Sequence, residues 1–126
     1  MATSTTRRYE VSARSTDVLG RVLCNARQHH FVMDGPVASG FPGEAVGPAE
    51  SFLTGIAACG VELVQALARD QHLPLTGVKV AMSATMDRAN PVRADVSVFN
   101  AVEIQFQLAG VTQAQGEDLI SRFRGR

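Results

Sequence analysis

The sequence has 126 residues and two cysteines, Cys24 and Cys59. Two thiols are too few for a disulfide scaffold, and their spacing fits no zinc pattern. A cytoplasmic protein with reduced thiols is the default expectation. Charge of one sign is also lacking: twelve basic residues meet twelve acidic ones. Nucleic-acid and membrane surfaces need a basic excess, so neither partner is expected. No apolar run is long enough to span a bilayer. The segment Met1 to Arg8 is polar and no apolar stretch follows it, which argues against a secretory signal. Metal ligands are not grouped either. His29 and His30 are neighbours in a predicted strand and point to opposite faces, and His72 falls in a loop. Gly40-Phe41-Pro42-Gly43 lacks the Lys-Ser/Thr of a phosphate loop, and nothing resembles a nucleophile elbow. No metal or other cofactor is expected.

What is present suits one packed domain over 1–126. Apolar residues make up 45 % and charged residues 19 %, so a core is feasible and disorder is not expected. Residues 7–33 alternate as strands: Tyr9, Val11 and Ala13, then Val18, Val22 and Cys24, then Phe31 and Met33. Asp34 to Gly47 carries four Gly and two Pro and reads as a long loop, which hints at a functional or interface role. Gly47-Pro48-Ala49-Glu50 then opens a helix that runs to about Asp70. Thr54, Ala58, Glu62, Gln65 and Arg69 form its polar stripe. Phe52, Ile56, Cys59, Leu63 and Ala66 form an apolar stripe beside a second one of Leu53, Ala57, Gly60, Val64 and Leu67. Such a helix is expected to be buried on more than one side, by sheet or by a partner subunit. A hairpin follows. Val78, Val80, Met82, Ala84 and Met86 share one face, Arg88 to Pro91 turns the chain, and Val92 to Leu108 keeps one face apolar. That return strand is longer than the usual range, so a bend or bulge is expected near Asn100. Thr112 with Gln115 starts a last helix as a capping box, with Arg122, Arg124 and Arg126 at its C-terminal end. Strands, buried helix, hairpin and helix make the chain α+β.

Three stretches together resemble the OsmC/Ohr family. They are Phe31-Val32-Met33-Asp34-Gly35-Pro36, the helix segment from Gly47-Pro48-Ala49-Glu50 to Cys59, and Phe106 to Val111 with the helix ending at Arg126. The resemblance covers nearly the whole chain. It implies antiparallel sheets wrapped around a long buried central helix in an intertwined homodimer. In the peroxidase branch it further implies that the helix cysteine reduces organic hydroperoxides by way of a sulfenic acid. A second cysteine then closes a disulfide, and a dithiol reductant resets the pair. The second cysteine of that branch would come about where this sequence stops, at Arg126, so either the chain is truncated there relative to the family or it lacks the resolving thiol. The supporting Glu would stand at Ala49, and Glu50 comes one residue later. These departures bring the sequence nearer the OsmC-like branch.

Cys59 is therefore the candidate reacting thiol, and a core cysteine is the alternative. A reacting thiol needs a cation nearby. Arg14, Arg21 and Arg27 are the candidates, with Arg14 the first choice. Arg14 and Arg21 flank the first turn, where the resemblance implies the supporting Arg. Glu50, nine residues before Cys59, lies on the other side of a straight helix and suits the positive helix N-terminus, although the resemblance gives it a supporting role. Cys24 reads as a core strand residue, with a resolving thiol as the alternative. Three functions stay open: thiol-dependent peroxidase, a non-catalytic dimer that holds a small lipophilic ligand in an apolar cleft, and a purely structural dimerisation domain.

Overall fold

The computed structural model describes residues 5–95 and 99–124. The chain is α+β and forms two compact units, the first ending at Ser51 and the second starting at Phe52.

The first unit holds a three-stranded antiparallel meander of β1 (Val11–Ser15), β2 (Arg21–Ala26) and β3 (His29–Asp34), in that order across the sheet. Cys24 stands opposite Ala13 on one side and Phe31 on the other. Val18, read from the sequence as a strand residue, lies instead in the turn between β1 and β2. Its N–H donates to Thr16 Oγ1 at 3.1 Å, and the same hydroxyl reaches Arg21 O at 3.0 Å. These side-chain bonds offer the backbone an alternative to the ladder. Arg27 and Gln28 make the second turn, with Arg27 in the left-handed region at φ 56. After β3 the chain runs through the loop 35–47, which contains a short 3₁₀ turn at Val37–Ser39.

The helix α1 (Pro48–Asp70) begins with Pro at its first position, where no intrahelical donor is lost. Its C-terminal end is a Schellman motif. Leu73 N donates to Ala68 O at 2.9 Å and His72 N to Arg69 O at 3.1 Å. His72 takes the left-handed conformation, φ 56, that glycine usually supplies at this position. The strands β4 (Gly77–Thr85) and β5 (Ala101–Ala109) pair antiparallel from Gly77 opposite Ala109 to Thr85 opposite Ala101. Val78, Val80, Met82 and Ala84 are half-buried along β4 while Lys79, Ala81, Ser83 and Thr85 are exposed, the period-two pattern of a one-sided sheet.

The return strand is shorter than the sequence suggests. Val92 and Ala94 belong to no strand, while Val96, Ser97 and Val98 lie outside the described residues, as does Arg126. Asn100 accounts for the break. Its N–H reaches Thr85 O, its Oδ1 accepts from Asp87 N and its Nδ2 donates to Asn90 O, each at 2.7 Å. Asp87 in turn accepts from Ala89 N and Asn90 Nδ2, both at 3.0 Å, which lowers its carboxyl pKa. Local polar bonds thus outcompete the ladder at the residue where a bend was expected.

The last helix, α2 (Gln113–Arg124), is capped as its sequence predicts. Thr112 N donates to Gln115 Oε1 at 3.0 Å, and Gln115 N to Thr112 Oγ1 at 3.2 Å. The core of the second unit is Val64, Leu67, Ala68 and Leu119, packed with Leu63, Leu73, Leu75, Val78, Phe106 and Leu108. Phe106 and Phe123 meet edge to face with centroids 5.1 Å apart.

Within the single chain α1 is packed along one side. Its buried residues are Gly60, Val64, Leu67 and Ala68, a single stripe toward its C-terminal half. Phe52 is 60 % exposed. By length and composition α1 could also cross a membrane, contrary to the reading that no apolar segment reaches that size. Of its most apolar 18 residues, 22 % are buried. The helix reaches this composition without an unbroken apolar run, with Glu62 and other polar residues interspersed.

Candidate functional site

Cys59 occupies the middle of α1 and is exposed, whereas Gly60, the next residue, is buried. Consecutive helix residues are about 100° apart, so one position separates the packed stripe from the open one. A Cβ placed on Gly60 would lie 3.5 Å from Val80 and 3.6 Å from both Phe106 and Phe123. The backbone beside the thiol is therefore held closely by β4, β5 and α2. Along the helix, Gly55 lies four residues before Cys59 and is exposed, and Phe52 lies seven before it. Phe52 stacks with Phe99 at a centroid distance of 6.4 Å. The thiol thus stands on an open strip of small and apolar residues. The structure does not make it an inert core cysteine.

Glu50 lies in the first turn of α1, in the first unit. Its Oε1 accepts from Gly47 N at 3.0 Å, the return bond of a capping box. Glu50 therefore satisfies the helix N-terminus. Ala49, where the resemblance would put the supporting Glu, carries no acid.

The three candidate arginines all lie in the first unit. Arg14 is exposed on β1 opposite Leu23 and forms no ion pair among the described residues. Arg27 is exposed at the β2–β3 turn. Arg21 is engaged: its Nε donates to Asp34 Oδ1 at 2.8 Å, and its Nη2 to Asp34 Oδ2 at 3.0 Å and Glu44 Oε1 at 3.3 Å. Cys24 is buried and both cysteines are free thiols.

Asp34 is the residue that sequence reasoning passed over. Its side chain is fully shielded from solvent. Besides Arg21, its Oδ2 accepts from Glu44 N at 3.0 Å and Ala45 N at 2.9 Å. The Arg21 hydrogen bonds hold its carboxyl down at about 2; burial opposes the shift, and the two amides add to it. The available signal was an Asp at a strand end opening a Gly-rich loop, a place where its short side chain can bind loop amides.

No family model matches the chain, and no curated protein matches it. Solved structures do. An OsmC-like protein from Mycoplasma pneumoniae superposes with a TM-score of 0.81 at 14% identity, over 95% of this chain and 82% of that one. The fold is thereby the OsmC-like α+β fold. An organic hydroperoxide resistance protein from Elizabethkingia anophelis gives a TM-score of 0.75 at 16% identity, over 94% and 82% of the two chains. An organic hydroperoxide resistance protein OsmC from Legionella pneumophila gives 0.71 at 20% identity, with the same coverage.

Proposed function

We propose that the chain is an OsmC/Ohr-type redox protein that reduces organic hydroperoxides through Cys59 and works as a homodimer. The observation that carries this reading is an exposed thiol on an apolar strip of the long helix of an OsmC-like fold. The proposed chemistry balances as follows. The Cys59 thiolate attacks one peroxide oxygen, the O–O bond breaks, and the departing alkoxide takes a proton to leave as an alcohol. Sulfur is oxidised to a sulfenic acid while the peroxide is reduced. A dithiol reductant then condenses with the sulfenic acid, releasing water, and its second thiol displaces Cys59 as a thiolate. The apolar strip supports an alkyl or aryl peroxide over hydrogen peroxide. Arg14, exposed and without an ion pair among the described residues, is the proposed cation for the thiolate. The dimer is supported by α1, whose apolar faces stay largely open in one chain; open faces of that kind mark interaction surfaces.

The test is consumption of cumene hydroperoxide by the purified chain with a dithiol. Cys59→Ser should abolish turnover and Cys24→Ser should preserve it. Turnover that survives Cys59→Ser overturns the proposal. A second reading, a dimer that binds a small lipophilic ligand without chemistry, is favoured by one observation: Glu50 caps its helix and Ala49 precedes it. An inactive wild-type chain that still binds an apolar fluorophore would support that alternative.

A further inference from the structure

Arg21 and Asp34 anchor a well-satisfied polar assembly among the described residues of the first unit. Four hydrogen bonds converge on one shielded carboxylate: two from a bidentate guanidinium and two from successive loop amides. Asp34 N adds a fifth tie, to Val46 O at 3.2 Å. Residues 44–46, the targets of these bonds, immediately precede Gly47, whose N–H is taken by Glu50 at the start of α1. The loop is closed at its other end as well. Gly35 N reaches Gly20 O at 2.8 Å and Gly43 N reaches Gly35 O at 3.1 Å.

From this convergence we propose that Asp34 is a positioning residue for the helix that carries Cys59, with Arg21 acting through it. The carboxylate fixes residues 44–46 so that the chain begins α1 in one conformation. The loop 35–47 is then a preordered lead-in to the first turn of α1. A bidentate Arg–carboxylate pair adds geometric specificity as well as energy, and removing one partner leaves the other unpaired. The kinetic part of this inference rests on Cys59 being the reacting thiol; the structural part stands without it.

The experiment uses the full chain and the variants Asp34→Asn, Arg21→Met and the double variant, with Arg21→Lys as a milder change should any of these fail to fold. Asp34→Asn should speed hydrogen exchange of the Glu44 and Ala45 amides by at least about tenfold, with the β4–β5 amides changing less. It should lower kcat for cumene hydroperoxide by about tenfold with KM within about threefold, the split expected of a group that aligns chemistry rather than binds substrate. The double variant should lose no more than Asp34→Asn alone, because the two side chains act as one unit. Undisturbed exchange, additive losses, or a raised KM at constant kcat would each overturn the proposal. If the wild-type chain proves inactive, the peroxidase reading fails. The exchange and additivity measurements, the latter then made on stability, still decide whether the clamp exists.

Discussion

The Arg21 guanidinium meets both oxygens of the Asp34 carboxylate, at 2.8 and 3.0 Å, from the neighbouring strand position directly opposite it in the β2–β3 register. The pair is set by strand pairing itself, and its consequence is a pH dependence of defined sign. Asp34 is lowered from 3.8 to about 2. A depressed carboxylate contributes stability that is present above its unfolded value and is lost as pH falls through its folded one. The stability advantage of the wild-type chain over Asp34→Asn should therefore be constant above about pH 4 and shrink toward pH 2. Urea titrations of both proteins across that window check it. An advantage that disappears near neutral pH would contradict the geometry.

The two thiols should differ sharply in accessibility. Cys59 is exposed and Cys24 is buried. In the native chain a small thiol reagent should modify one cysteine, identified as Cys59 by peptide mapping, and Cys24 should react on unfolding. Dimer formation that seals α1 would slow the first reaction, so the measurement is made across protein concentration. Reaction of Cys24 ahead of Cys59 would contradict the structure.

Leu119 is fully buried against Val64, Leu67 and Ala68. Leu119→Ala should cost about 2–5 kcal/mol, the range for truncating a buried leucine. The midpoint of a denaturant curve should fall with little change in slope.

His72 holds a left-handed conformation at the end of α1 without the freedom of glycine. His72→Gly should stabilise the protein by up to about 1 kcal/mol, because the strain at φ 56 is relieved and the Schellman bonds are kept. Thermal unfolding measures it, and a loss of stability would show that the imidazole makes a compensating contact.

Gly110 illustrates the opposite case. Its φ is +88, and a side chain there would run into Pro74 O and come within 2.7 Å of Thr76 N. Both obstacles are backbone and cannot move cheaply. Gly110→Ala should destabilise by about 1–3 kcal/mol, read from the same thermal scans.

Much of this architecture was legible in sequence because it rests on local rules. Pro48 at the first helical position, the Thr112–Gln115 capping box and the alternation along β4 are each set by neighbours within a few residues. The errors fell where side chains captured backbone groups. Thr16 drew Val18 into a turn, and Asn100 ended the ladder that continuous apolar alternation seemed to extend. The site was half legible. Cys59 stood out by its motif, and Glu50 by its place at a helix start. Asp34 looked like an ordinary loop residue, since its partners Arg21, Glu44 and Ala45 lie 10 to 13 positions away.

By itself the sequence determined the elements, their order and the amphipathic faces, because periodicity and capping act over one or two turns of chain. Only the tertiary structure decided which stripe of α1 is covered and that Cys59 falls on the open one. It also decided that Arg21 is bound to a shielded Asp34. Those outcomes depend on strand register and on the packing of β4, β5 and α2 against the helix, which no local pattern encodes.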